Sequence, residues 1–292
     1  MCDDRTFRES SEYLDSRSEL TRREFGTLSA GAGLAMLLPR AADAQAVTEQ
    51  DVEVTTPDGV ADCFFVHPAT GTHPGVLIWP DILGLRPAFR QMGRRLAESG
   101  YSVLVVNPFY RSVRSPVVPE GASFQDEATR NTVIPLARAL SAETHVTDAR
   151  AFIDWLDTQA AVDPDRKMGT TGYCMGGPIT MRTAWARADR VGAGASFHGG
   201  GLVTDQENSP HLLVAEMDAH YLFAIAENDD MEDPEAKNVL RETFDTAGLP
   251  AEIEVYEGAL HGWCPPDSAV YNEAQAERAW SRLLVLFETA LT

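Results

Sequence analysis

The residues able to do chemistry in this chain fall at a few separated places. Cys174 stands in Thr171-Gly172-Tyr173-Cys174-Met175-Gly176-Gly177, a thiol framed by glycines. Asp229 and Asp230 close the segment Ala226-Glu227-Asn228-Asp229-Asp230, and His261 sits in Gly258-Ala259-Leu260-His261-Gly262. A thiol, a carboxylate and an imidazole are the parts of a nucleophilic triad. The thiol attacks a carbonyl as thiolate, and an imidazole titrating near neutrality can take that proton and return it to the leaving group. The carboxylate fixes the imidazole tautomer and stabilises the imidazolium. Asp229 and Asp230 cannot both fill that place. Asp81, in Trp79-Pro80-Asp81-Ile82, is a further carboxylate near an apolar run.

These groups need elements that hold their ends together. Residues 51–56 and 60–67 read as a hairpin around Pro57-Asp58-Gly59. Residues 75–79 and 101–106 are continuous apolar runs, which suit strands buried on both faces, with a helix over 87–99 between them. Strands follow at 167–173, 192–197, 221–226 and 251–256, with helices at 142–159, 233–247 and 272–291. Residues 109–132 form a long irregular insertion. Recurring strand, helix, strand predicts a mostly parallel sheet with helices on both faces, an α/β fold with right-handed crossovers. Functional groups of such sheets gather at the carboxyl ends of the strands. Asp81, Cys174, Asp229 or Asp230, and His261 all follow predicted strands. Cys174 lies on a strand-to-helix turn, where close-packed glycines set a nucleophile elbow, and the chain order of thiol, acid and histidine is that of the α/β-hydrolase triad.

Plainer readings compete. Cys174 could be a small core residue. His198, in His198-Gly199-Gly200-Gly201, also follows a strand and reads as a pocket residue, while His67, His73, His145, His211 and His220 read as loop or surface histidines. A metal held by His198, His261 and an aspartate lacks the usual ligand spacing. Cys264, close to His261, competes with Cys174 for reactivity and reads as a pocket-wall or buried thiol.

The 292 residues carry a net charge of −20, which argues against nucleic acid as a partner. The four cysteines, Cys2, Cys63, Cys174 and Cys264, have no C-x-x-C spacing for a zinc knuckle or thioredoxin motif, and so few do not make a disulfide scaffold. Residues 1–46 stand apart from the fold. A polar lead reaches Arg22-Arg23, an uncharged Gly/Ala/Leu-rich stretch follows, and Ala42-Asp43-Ala44 and Ala44-Gln45-Ala46 are small-x-small. This is the layout of a twin-arginine export signal. The uncharged stretch is shorter than the roughly 20 residues that span a bilayer. Residues 47–292 are then one domain of a periplasmic or secreted protein, expected to be a monomer that is not membrane-embedded. Cleavage after Ala44 would leave Cys63, Cys174 and Cys264, an odd set that suits a free catalytic thiol.

Five stretches in order resemble the dienelactone hydrolase family of α/β-hydrolases: Trp79-Pro80-Asp81-Ile82-Leu83-Gly84, Asn107-Pro108-Phe109-Tyr110-Arg111, Gly172-Tyr173-Cys174-Met175-Gly176-Gly177, Ala226-Glu227-Asn228-Asp229 and Gly258-Ala259-Leu260-His261-Gly262. The resemblance implies an ester or lactone hydrolase of the carboxymethylenebutenolide type without metal or organic cofactor. It implies Cys174 as nucleophile, His261 as base, Asp229 as acid with Asp230 the lesser alternative, and the N–H groups of Met175 and Ile82 as the oxyanion hole. Asp81 stands where the family carries a glutamate that influences the protonation of the cysteine. Tyr110, Arg111, Arg86 and His198 are the candidates for holding substrate. Amide or thioester cleavage on the same fold, and a non-catalytic periplasmic binding protein, are the other expectations.

Overall fold

Two short apolar runs set the centre of the molecule. Gly75–Trp79 and Ser102–Val106 are buried at every position. Their side chains alternate between two cores: Leu77, Trp79, Leu104 and Val106 enter one, and Val76, Ile78, Val103 and Val105 enter the other. A strand apolar on both faces needs a helical layer on each side, and both layers are present.

The computed structural model describes residues 11, 12, 38 and 44–292. Among them eight strands form one sheet: β1 (Val47–Thr56), β2 (Gly59–Pro68), β3 (Gly75–Trp79), β4 (Ser102–Val106), β5 (Met168–Tyr173), β6 (Val191–Phe197), β7 (His220–Ala226) and β8 (Ala251–Tyr256). The spatial order is β1-β2-β4-β3-β5-β6-β7-β8. The β1–β2 and β2–β4 pairs are antiparallel, and the strands from β4 to β8 are parallel. The helices are α1 (Pro87–Glu98), α2 (Glu127–Arg138), α3 (Ala142–Asp157), α4 (Gly176–Ala186), α5 (Glu227–Glu232), α6 (Ala236–Ala247) and α7 (Glu273–Ala290). Phe89, Met92 and Leu96 of α1 share a core with Leu283 and Phe287 of α7. Phe152 of α3, Ile179 of α4 and Phe244 of α6 fill the core on the opposite face. This is the expected α/β-hydrolase architecture. Most of residues 1–46, where a twin-arginine leader is expected, lies outside the described residues, and no described helix is long and apolar enough to cross a membrane.

Two elements differ from the sequence expectation. The 109–132 insertion ends in α2, whose interior Pro135 reads as a breaker. Only Thr129 and Val133 of this helix are buried, so it lies on the surface, where solvent can satisfy the carbonyl that Pro135 leaves without a donor. Val133 packs with Ile82 and Val118, and Phe124, Ala122 and Met175 close around them, so the insertion forms a wall over the ends of β3 and β5. The second difference is at 227–232. The run after β7 starts a helix of its own, α5, before α6 begins.

Candidate active site

Cys174 has φ = 54°, one of two non-glycine residues among those described with a left-handed backbone. A side chain there is strained, costing on the order of 1–3 kcal/mol, and persists because its surroundings dictate it. They do so by close approach. A Cβ on Gly172 would lie 2.1 Å from the Gly176 carbonyl oxygen, and one on Gly176 would lie 2.5 Å from that of Trp79. The Cys174 N–H donates to the Phe197 carbonyl at 3.0 Å, and the Gly177 N–H donates to the Cys174 carbonyl at 3.0 Å. The thiol therefore leaves β5 at the start of α4, beside the helix N-terminus, whose dipole favours negative charge. Met175 caps that helix, and its N–H is among those the first turn leaves without an intrahelical acceptor.

His261 follows β8 and is buried. Its Nδ1 lies 2.9 Å from both carboxylate oxygens of Asp229, and its ring also hydrogen-bonds Cys174. Asp230, the alternative acid, turns away and pairs with Lys237 at 2.5 Å. Burial disfavours the imidazolium, yet the charge of Asp229, the nearby Cys174 and hydrogen bonds to both overcome it. The His261 pKa is raised to about 10. The loop bearing His261 is tied to α5. The Asn228 Oδ1 accepts the His261 N–H at 2.8 Å, and Glu227 Oε2 accepts the Gly258 N–H at 2.9 Å. Those two side chains orient the histidine, and the sequence reading assigned them no part.

A cavity of about 80 Å³ opens over Cys174 and His261. Its wall is mixed: Ile82, Leu83, Phe124 and Val270 are apolar, and Asp81, Arg86 and Asp267 are charged. Asp81 shapes the turn after β3. Its Oδ1 accepts the Leu83 N–H at 2.9 Å and its carbonyl accepts the Gly84 N–H at 2.9 Å. This turn carries Ile82 beside Met175. The Asp81 carboxylate is also gripped by Arg86, at 2.7 and 2.9 Å. Burial pushes its pKa up against the pull of Arg86, and Cys174 pushes the same way, so thiol and carboxyl feel each other's charge.

The model of the dienelactone hydrolase family matches residues 61–291. The chain belongs to the dienelactone hydrolase family. A carboxymethylenebutenolidase of Rhodococcus opacus is 26% identical over 230 residues, covering 76% of this chain and 84% of the relative. Among solved structures, a dienelactone hydrolase-like promiscuous phosphotriesterase from metagenomic libraries superposes with a TM-score of 0.70 at 21% identity, covering 85% of this chain and 100% of the other. A dienelactone hydrolase from Anabaena variabilis gives 0.60 at 15% identity, covering 84% and 99%. These superpositions speak for the fold. Family membership places the chain among hydrolases that act on esters or lactones.

Not every residue expected at this dienelactone hydrolase-family site is there. Tyr110 and Arg111 lie away from the cavity. The Tyr110 hydroxyl donates to Asp148 at 2.7 Å and lies 2.7 Å from Thr56 Oγ1. Arg111 binds both oxygens of buried Asp148, at 2.8 and 2.7 Å, and also Asp58. These pairs tie the β1–β2 turn to α3, which is a structural task. Arg86 does line the cavity, but its guanidinium is occupied by Asp81 and Asp267. His198 lines the cavity as expected, at φ = 41° after β6. Its ring packs edge-on against that of His261, with centroids 5.1 Å apart, and among the described residues neither nitrogen meets a partner on another residue. Burial, helped by His261, drives its pKa well below 6.5, so the ring is neutral. Cys63 and Cys264 are free and buried, and burial raises both thiols. Cys264 lies against Tyr173 and Trp280 in a separate cavity. Asp267 went unremarked in the sequence because an aspartate in a Pro-Pro-Asp-Ser loop carries no signal of its partner.

Proposed function

We propose that this protein hydrolyses small esters or lactones by covalent catalysis on Cys174. The observation that supports this most is a thiol at φ = 54° beside an imidazole whose Nδ1 is held by a carboxylate at 2.9 Å. His261 takes the Cys174 proton, and the Sγ electron pair forms a bond to the carbonyl carbon. The N–H groups of Met175 and Ile82 stabilise the oxyanion. Collapse of the tetrahedral adduct breaks the bond to the alkoxide, which leaves with the proton from His261. A thioester on Cys174 remains. Water then attacks it, gives a proton to His261, and releases the acid and the thiolate. Asp229 keeps the imidazole in the required tautomer throughout. Asp81 sets the turn that aims the Ile82 N–H and bears on the thiol through its charge.

The relative's name makes lactones one candidate class of substrate. The test is a matched panel of lactones, simple esters, thioesters and anilides. Cys174-dependent turnover of esters or lactones at rates well above those of anilides is expected. Anilide or thioester turnover dominating the panel would move the protein to a different acyl-transfer class, and saturable binding without turnover of any member would make it a binding protein.

The Arg22-Arg23 leader supports export through the twin-arginine machinery to the periplasm or outside the cell. Replacing Arg22 and Arg23 by lysine is expected to retain the protein in the cytoplasmic fraction; undiminished export would refute that route.

A further inference from the structure

The cavity's charge is arranged in an unusual way. Arg86 is, apart from His261, the cation among the described residues that line it. A guanidinium has five N–H donors, and here all five have acceptors. The Nε donates to Asp267 Oδ2 at 2.7 Å. Nη1 donates to Asp81 Oδ1 at 2.7 Å and to the Gly84 carbonyl at 3.3 Å. Nη2 donates to Asp81 Oδ2 at 2.9 Å and to Asp267 Oδ1 at 2.9 Å. The Arg86 side chain is 7% exposed, whereas that of Asp267 is 43% exposed. A ligand entering from solvent therefore meets the carboxylate first, with the guanidinium sealed beneath it. The three side chains together carry one net negative charge. The imidazolium of His261 is matched by Asp229, and a Cys174 thiolate adds a further negative charge. Arg130, in α2 of the same wall, donates to the Phe124 and Gln125 carbonyls and does not line the cavity.

We propose that this site selects uncharged esters and lactones and turns away those bearing a carboxylate, with Asp267 as the residue that sets the preference. The proposal rests on Cys174 being the nucleophile and narrows the class of substrate it serves. A carboxylate approaching the thiol would find Arg86, the arginine among the described residues that line the cavity, with all its donors already taken. It would have to displace Asp267 from Arg86 or stand near it unpaired, and both oppose binding. An uncharged group meets instead the apolar wall of Leu83, Phe124 and Val270. The same reasoning makes Asp267 a specificity residue. It is not catalytic, because it binds Arg86 and not the reacting atoms.

Iodoacetamide and iodoacetate test this with one probe pair of nearly equal size. Each transfers its CH₂ carbon to the sulfur as iodide leaves, and they differ by one negative charge. The rate constants for alkylation of Cys174, followed on its own peptide by mass spectrometry, are divided by those for glutathione. The normalised preference for iodoacetamide is expected to exceed unity by roughly fivefold or more, the scale of one screened unit charge nearby. In Asp267→Asn that preference should shrink severalfold, and the change should be smaller at high salt. Hydrolysis of a matched pair, a neutral activated ester and its ω-carboxylate analogue, should follow the same order. A normalised preference for iodoacetate in the wild-type protein, or for the carboxylate ester, would overturn the proposal while leaving Cys174 catalysis standing. A wild-type preference for iodoacetamide that Asp267→Asn leaves unchanged would overturn the assignment to Asp267. A Cys174 inert to both reagents would remove the hydrolase mechanism and this proposal together.

Discussion

Cys174→Ala is expected to lower kcat/KM for an activated ester by roughly 10³-fold or more, with the circular dichroism spectrum and melting temperature little changed. Alanine keeps the Cβ that the left-handed backbone already carries, so the elbow itself is not disturbed. What disappears is the atom that bonds the substrate. The oxyanion donors and His261 would remain and support only residual water attack. Cys174→Ser restores a nucleophile of similar shape but should also fall far below the wild type. A serine hydroxyl needs strong general-base assistance, whereas the charge of Asp229, which remains when the Cys174 contribution is lost, inclines His261 to hold its proton. A site that favours imidazolium suits a thiol, which gives up its proton easily, and serves a hydroxyl poorly. Steady-state kinetics of the three proteins on one ester measures this directly. Serine activity equal to that of cysteine would contradict it.

The second large effect belongs to Asp229. Asp229→Asn should reduce kcat by roughly 10⁴-fold, the scale of loss when a triad acid is neutralised or removed. Asp230→Asn should stay close to the wild type, since Asp230 pairs with Lys237. The pH profile separates these further. Burial pushes the His261 pKa down, and the charge of Asp229 is the largest influence that pushes it up, to about 10. The imidazolium proposed to protonate the leaving group is therefore present from neutrality until about pH 10, and activity should fall as pH rises through that value. Without the Asp229 charge the alkaline limb should move toward neutral pH. Stability carries the same sign. A raised histidine pKa contributes stability that is fully present below the unfolded value near 6.5 and lost as pH rises through about 10. Thermal melts across that window should show a loss in the wild type that is smaller in Asp229→Asn. An alkaline limb that stays in place in Asp229→Asn and moves in Asp230→Asn would assign the acid to the wrong residue.

Much of the architecture was readable from local pattern. The buried runs at 75–79 and 102–106 show their two-sided burial in composition alone, and the glycines around Cys174 mark an elbow because a Cβ at Gly172 or Gly176 has no room. The order of Cys174, Asp229 and His261 after β5, β7 and β8 follows from that pattern. What the pattern could not reach was pairing across long separations. Arg86 and Asp267 are 181 positions apart, and Arg111 and Asp148 are 37 apart. An arginine near a predicted pocket reads as a substrate anchor until the carboxylates that occupy it are located. The choice between Asp229 and Asp230 was hidden for a different reason. It depends on the rotation of α5, a six-residue helix that points adjacent side chains in different directions. The helix α2 was masked by Pro135, whose cost a surface position tolerates.

The central claim is that the acyl group passes through Cys174. Mixing the enzyme with excess p-nitrophenyl acetate, quenching in acid within the first turnovers and digesting the protein decides it. The prediction is a burst of nitrophenol near one equivalent and one acetyl group on the peptide carrying Cys174, lost again on longer incubation and absent from Cys174→Ala. Steady turnover with no acetyl on that peptide, or with the label on Cys264 instead, would contradict the account.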